Sequence, residues 1–311
     1  MLRRIWALVV VTLSQALLEQ LATDSRRVVS GWRSLVLLRR ATFSLAPRER
    51  RWDLLPNNTD DLKSVFRQMA RRGEIKPIHG FRQIFEVTVP YARQGFVDER
   101  EVLFELNPYA ALSHFSALVF HGLTEEQPKG ITATVSADVT GSLYPIGTIP
   151  RDWEGIEQPR GRTPTHILGR PVTWIRVNPE GFFGVQEYQP LGYSMRYTTM
   201  ERTLIDGLRN PAICGGIGNV LRAWVRAQDM IDLDLLVHQV ERLNITVMRQ
   251  RIGYVLDQLE LSHPGVEKWR TCAPRGGSSR LVGSAPFSSS YDERWNLSLN
   301  APVNVLQEHA M

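Results

Sequence analysis

Glu201, Arg202, Asp206 and Cys214 fall together in the stretch TTMERTLIDGLRNPAICGG, residues 198–216. A carboxylate, a guanidinium and a thiol at such spacing have the parts for acid–base or nucleophilic catalysis. The local pattern gives each a plainer task. Thr198-x-x-Glu201 reads as a capping box, in which hydroxyl and carboxylate satisfy the free N–H groups of a helix start. Met200, Leu204 and Leu208 recur at four-residue steps and form the core face of that helix. Arg202 and Asp206, four apart, make a surface or half-buried ion pair. Asn210-Pro211 ends the helix, and Cys214-Gly215-Gly216 turns the chain into the next one. No catalytic group is expected here; Arg202 and Asp206, read as exposed, stay candidates for a binding or signalling role.

The remaining chemical residues are equally ordinary in their spacing. His114 and His121 are seven apart, whereas helical metal-binding pairs usually sit at i, i+4. Gly-x-Ser-x-Gly, Walker A and HExxH patterns do not occur. CGGIGNV, residues 214–220, resembles a phosphate loop but lacks a preceding strand and the Lys-Ser/Thr pair, so it reads as a helix-to-helix turn. Glu125-Glu126 and Asp232/Asp234 sit at a loop and a helix start, where carboxylates are at home. Cys214 and Cys272 lack a CxxC or Cys/His partner, which argues against a disulfide framework or zinc finger and fits a reducing compartment. Neither a metal nor a cofactor is expected.

Charge directs attention to the other end of the chain. Residues 1–95 hold 17 Lys and Arg against 8 Asp and Glu, residues 96–311 hold 20 against 24, and together they make the net +5 of the protein. A basic portion attached to a mildly acidic remainder fits a polyanion partner at one end. Within residues 58–89, Asn58 or Thr59 can cap a helix that has Asp60 and Asp61 in its first turn. Leu62, Val65, Phe66 and Met69 form its buried stripe. Lys63, Arg67 and Arg71 line another face with Arg72 beside them, and Gly73 stops the helix. A short strand at Ile75, a turn at HGF and a β-rich run from Ile84 to Val89 follow, carrying Lys76, His79 and Arg82. A basic helix followed at once by a basic hairpin is the tail of a winged helix-turn-helix, which sets the helix in the major groove and the hairpin against a phosphate or the minor groove.

The elements around that unit complete the expectation. MLRRIWALVVVTL has a basic start and an apolar run from Ile5 to Leu13, too short to span a bilayer and without an A-x-A cleavage site. It reads as the first core helix of a DNA-binding domain, with an export signal as the alternative. SQALLEQLATDSRRVVS and GWRSLVLLRRATF can supply two helices, but APRERRWDLLPNN is an unusual connection, so residues 1–57 are atypical. A domain boundary is expected near residues 90–100, giving domains of 1–95 and 96–311. Beyond it the pattern predicts a helix over 108–120, strands at 131–135 and 171–177, and a hairpin turning at Leu191-Gly192. Helices are expected near 199–209, 217–228, 232–243 and 246–261, then a loose loop over 272–290 and a last strand at 294–300. The fold class is α+β: an N-terminal winged helix-turn-helix, then a mixed domain with a small sheet and a helical half.

AALSHFSALVFHGLTEEQPKGITATV, FFGVQEY, YSMRYTTMERTLIDGLRNPAICGGIGNVLRAWV, MRQRIGYVLDQLEL and RWNLSLNAPV, in this order, resemble the AbiEi family over roughly residues 58–303. Its members are antitoxins and transcriptional regulators of bacterial type IV toxin–antitoxin systems, associated with abortive phage infection. The resemblance implies a winged helix that binds promoter or operator DNA through Lys63, Arg67, Arg71, Arg72 and Arg82. It also implies a C-terminal antitoxin domain, and as functional partner a nucleotidyltransferase toxin opposed without a stable complex. The protein so read is cytoplasmic, makes no use of a membrane and is not an enzyme. Two other classes compete: a repressor whose second domain senses a ligand, and a nucleic-acid-processing enzyme tethered by its first domain.

Overall fold

Apolar period decides the first elements. In the computed structural model, which describes residues 10–24, 26–89, 96–138, 143–271 and 279–307, it produces α1 (Leu13–Thr23), β1 (Val28–Ser30), α2 (Gly31–Ser44), α3 (Lys63–Arg71), β2 (Ile75–Pro77) and β3 (Ile84–Val87). Thr12 and Gln15 close a capping box on α1, and the Ser30 hydroxyl accepts the Arg33 N–H at the start of α2. The three strands form an antiparallel sheet in the order β1-β3-β2, with Ser30 opposite Ile84 and Ile75 opposite Val87. Leu17, Leu21, Leu38, Phe66, Met69 and Ile75 share one apolar core between the helices and this sheet.

The apolar run from Ile5 is described only from Val10, so most of it lies outside the described residues; α1 begins at Leu13. The atypical connection after α2 holds to the body by its own contacts. Val11 N–H donates to Glu49 O, Arg51 N–H to Val11 O, and the Trp52 indole to Thr42 Oγ1 at 2.9 Å. The Asn58 carboxamide accepts from the N–H groups of Asp60 and Asp61. It thus caps a turn, and α3 starts three to four residues later than the sequence implies, at Lys63.

The protein divides into two units. The first comprises Met1–Ala110, Val139–Gly169 and Glu187–Met195, and the second Ala111–Asp138, Arg170–Gln186 and Arg196–Met311. The first unit therefore extends past the boundary expected at 95/96, and α4 (Glu99–Leu106) explains why. Strand β1 pairs with β3 along one side only. Along its other side, Glu101 Oε1 accepts the N–H groups of Arg27 and Val28 at 2.8 and 3.0 Å, and Glu105 Oε2 accepts that of Ser30 at 3.0 Å. Two carboxylates one helical turn apart thereby satisfy a strand edge that would otherwise be left unpaired.

The second unit contains β4 (Ala111–Leu112), α5 (His114–Phe120) and β5 (Ile131–Ser136). After β6 (His166–Ile167), which belongs to the first unit, come β7 (Arg170–Val177), β8 (Val185–Tyr188) and β9 (Met195–Thr198). Its sheet runs β7-β5-β4-β9-β8, with β5 parallel to β7 and antiparallel to β4. The helix expected over 108–120 is thus a strand and a shorter helix. Ala111 and Leu112 pair with β5 and β9, and the extended Ser113, followed by a left-handed His114 (φ 49°) as the first residue of α5, separates the strand from the helix. Pairing in the sheet outweighs the helical pattern of the segment.

Helices α6 (Met200–Arg209), α7 (Ile217–Ala227), α8 (Leu233–Leu243) and α9 (Thr246–Gln258) lie where the apolar period places them, and α10 (Pro264–Thr271) was not anticipated. Of the loop expected over 272–290, residues 272–278, Cys272 included, lie outside the described residues. The expected last strand shrinks to β12 (Leu297–Ser298), which sits between β10 (Ser279–Arg280) and β11 (Tyr291–Asp292). Trp295 fills the centre of this helical half, lying so close to Gly253 of α9 that a Cβ there would stand 2.2 Å from the indole ring. Its indole N–H is held by Asp257 at 2.8 Å.

Candidate nucleic-acid interface

Burying Val65, Phe66 and Met69 leaves the other side of α3 to solvent, and Lys63, Arg67, Arg71 and Arg72 are all exposed there. Arg82, in the connection between β2 and β3, is exposed as well, as are Lys76 and His79. The side chains are only lightly engaged. Lys63 meets Asp60 at 3.0 Å, Arg72 meets Glu74 at 3.9 Å, and Arg67 Nε donates to Lys63 O at 3.3 Å. Exposed pairs of this kind are weak and screened, so the cations are free to exchange partners. A helix of this length is about 13 Å long, and its diameter suits a major groove of about 12 Å. Guanidinium forks on it can grip phosphate oxygens or the O6/N7 edge of guanine.

Behind this face the first unit holds a charged interior. Glu105 is buried and accepts from Ser30 Oγ, from Arg33 Nε and from Arg26 Nη1, the last at 3.5 Å. Both amino groups of Arg33 also donate to Ile146 O at 3.3 Å, and its guanidinium stacks over Trp32. Burial lowers Arg33 to about 10, helped by the neighbouring Arg26 and opposed by Glu105. Glu101 is raised above its usual range by burial, against the pull of its two backbone hydrogen bonds. Arg40 grips Asp152 with Nε and Nη2 at 2.9 and 2.6 Å, and Trp153 lies beside Trp32. Sequence reasoning missed this network. The signal was present as Glu101 and Glu105, four apart in a run of Val102, Leu103, Phe104 and Leu106 that leaves them no wet side.

A cleft of about 910 Å³ opens on the first unit. It is bounded by the Asn57–Asp60 turn before α3, by Arg82 and Gln83 of the β2–β3 connection, and by Gly155–Arg160 with Arg162. Trp32, Leu35 and Trp153 provide apolar wall.

The residues singled out in the second unit are placed otherwise than expected. Arg202 and Asp206 do pair, Nε to Oδ2 at 2.9 Å, but they are 2% and 4% exposed. Arg202 also donates to Phe183 O at 3.1 Å and lies over the Phe183 ring. The i, i+4 spacing foretold the pair; it could not foretell that Phe183 covers it. The reading of Arg202 and Asp206 as exposed contacts is therefore corrected: their hydrogen-bonding groups point into the protein. The capping residue is Thr199, which accepts from Arg202 N–H, while Glu201 accepts from Asp232 N–H at 3.2 Å. Thr198 belongs to β9 and takes no part in that cap. Cys214 is buried, which pushes its thiol up and away from the reactive thiolate. His121 Nε2 lies 2.8 Å from Thr198 O, and burial lowers both His114 and His121, keeping them neutral. Glu125 and Glu126 pair with Arg226 and Arg222. Among the described residues, no group of three or more His, Cys, Asp or Glu is placed to hold a metal ion, and no helix is long and apolar enough to cross a membrane.

No family model matches the chain, and no curated protein does. Among solved structures it is similar to the crystal structure of the RV2827C protein from Mycobacterium tuberculosis. The two superpose with a TM-score of 0.53 at 16% identity, over 96% of this chain and 94% of that one. At that identity the likeness speaks for the mixed α+β fold along the whole chain, and for nothing about activity.

Proposed function

We propose that the protein is a DNA-binding transcriptional autoregulator and antitoxin of a type IV toxin–antitoxin system. The observation that carries the DNA-binding part is the exposed row of Lys63, Arg67, Arg71 and Arg72 on α3, next to a hairpin that bears Arg82. This reading is supported by the order α1-β1-α2-α3-β2-β3 and the strand order β1-β3-β2, which a winged helix-turn-helix would require. In this reading α3 enters the major groove and the β2–β3 hairpin is the wing. Docking is by charge-assisted contacts to phosphate, with one or two side chains reading base edges. The antitoxin part, directed at a nucleotidyltransferase toxin, rests on the resemblance of residues 105–300 to the AbiEi domain, with no catalytic group assigned. Arg202 and Asp206 then serve that domain as a buried brace, and the cytoplasm is its place of action.

The test is a gel-shift titration on the protein's own upstream DNA at low and moderate salt. The reading expects sequence-specific binding that weakens steeply with salt. Arg67→Ala with Arg71→Ala should reduce it by about tenfold or more while leaving the thermal midpoint in place, because both side chains are exposed. Unchanged affinity in that double variant would remove α3 as the reader. A second reading, a ligand-sensing repressor, is favoured by the cleft of about 910 Å³ beside the wing. That site lies in the first unit, not in the aromatic-rich second domain where the sequence pointed. Stabilisation of the protein by a small molecule, lost on changing Trp32, would speak for it.

A further inference from the structure

Pro159-Arg160-Gly161-Arg162-Thr163-Pro164 lies in a stretch with neither helix nor strand, and both of its arginines are exposed. Its backbone is nevertheless pinned. Tyr109 Oη donates to Pro159 O at 2.9 Å, and Arg162 N–H donates to Leu106 O at 3.0 Å. Gly161 sits against Asn107 so closely that a Cβ there would stand 2.6 Å from Oδ1. Two prolines fix their own φ and push the residues before them, Gln158 and Thr163, toward extended backbone. The result is a braced arginine pair two residues apart, standing between two residues that proline pushes toward extended backbone. It adjoins the wing: Arg162 Nη2 reaches Arg82 O at 3.4 Å, and Arg82, Arg160 and Arg162 line one cleft. The acids of that cleft are Asp60, Glu105 and Glu157; Asp60 is engaged by Lys63 and Glu105 by Arg33.

We propose that Arg160 and Arg162 enter the minor groove of A·T-rich DNA next to the segment contacted by α3. This rests on the DNA-binding reading of the first unit and adds a second reading element, outside the winged-helix elements, with a stated preference. Residues two apart on an extended chain are about 6.6 Å apart, close to two base-pair steps of about 3.4 Å each. A·T runs have a narrow groove with strongly negative potential that draws arginine in, and they lack the guanine amino group that would block it. Glycine between the arginines lets the backbone lie against Asn107, which leaves the two arginine side chains to the other side of an extended chain. Pinning by Tyr109, Leu106 and Asn107 means little ordering is left to occur on binding.

The experiment is fluorescence anisotropy of the full chain on two duplexes. Each carries the protein's own upstream sequence, flanked in one by A·T pairs and in the other by G·C pairs. The wild type should bind the A·T-flanked duplex more tightly. R160Q/R162Q should lose about tenfold or more on that duplex and no longer distinguish the two. R222Q/R226Q, which removes the same charge from one exposed and one half-buried position of the second unit, should keep the preference. If R160Q/R162Q lowers the thermal midpoint, R160K/R162K serves instead: it keeps the charge, loses the planar fork and should still narrow the preference. A wild type that binds neither duplex refutes the DNA-binding reading itself. A wild type that binds both equally, or a preference that survives in the arginine variant, refutes the minor-groove inference alone.

Discussion

Replacing Glu105 by glutamine removes one negative charge from the interior of the first unit and little else. The carboxylate it replaces receives Ser30 N–H, Ser30 Oγ, Arg33 Nε and Arg26 Nη1. A carboxamide can still accept from Ser30 through its oxygen, but its amino group turns a donor toward the donors of Arg33. Arg33 and Arg26 are then two buried guanidiniums whose shared acid is gone; Arg26 retains Asp24 at 3.4 Å and the face of the Tyr193 ring. Breaking a buried pair from one side costs about 3–5 kcal/mol, a large part of the roughly 5–15 kcal/mol that holds a domain together. In a unit of this size that corresponds to a midpoint lower by roughly 6–20 °C. Arg33→Met should be milder by about 1 kcal/mol or more, because Glu105 keeps Ser30 and Arg26 as charge-assisted donors. Urea unfolding followed by tryptophan emission is the assay, since the Trp32 indole donates to Glu105 O at 2.9 Å and reports on the same spot. A loss below about 1 kcal/mol for Glu105→Gln, or an Arg33→Met variant that is equally damaged, would refute the view that Glu105 organises this interior.

Three further outcomes follow from the same geometry. Gly253→Ala drives a methyl into the Trp295 ring, so the second unit should lose about 1–3 kcal/mol in a thermal melt, whereas an unchanged midpoint would mean that α9 and Trp295 separate freely. Glu101 is held above its ordinary 4.5 by burial; its favourable share is complete below that value and lost as pH rises through the raised one. Glu101→Gln, which keeps the oxygen that accepts from Arg27 and Val28, should therefore gain in midpoint relative to wild type as pH rises above 4.5, and a constant difference would exclude the effect. His114 and His121 have the opposite sign. Lowered from 6.5 by burial, they contribute stability that is present above 6.5 and lost as pH falls through their folded values. His121→Gln should flatten the acid limb of the melting curve, and a limb of unchanged slope would count against this.

Several elements were legible because one physical signal sufficed. The stripe of Leu62, Val65, Phe66 and Met69 repeats for two turns, so it gives both α3 and, by subtraction, the side on which Lys63, Arg67 and Arg71 stand. The same holds for α6 to α9. Other features depend on what arrives from a distance. Arg202 and Asp206 have the spacing of a surface pair and are buried because Phe183 lies over them. Ala111 and Leu112 sit in a helical pattern and are claimed by strands on both sides. Glu101 and Glu105 repeat at the interval of any solvated pair, and only the lone edge of β1 gives them their task. Arg160 and Arg162 lie in a segment with no period at all, where hydrophobic patterning has nothing to say. Local periodicity reports which face of an element is apolar; it carries no information on what covers the other one.

The first unit is discontinuous, taking in residues 139–169 and 187–195 after the chain has already supplied part of the second. This has a consequence for its birth on the ribosome. Arg40 leaves the exit tunnel 112 residues before its partner Asp152. At translation speeds of about 5–20 residues per second, it waits roughly 6–22 s. Over that interval the helix carrying Arg33 and Arg40 is already made, yet the carbonyl of Ile146 and the carboxylate of Asp152 have still to emerge. The nascent protein thus passes through a stage at which its basic end is synthesised but not closed, and only the return of the chain in residues 139–169 and 187–195 completes it.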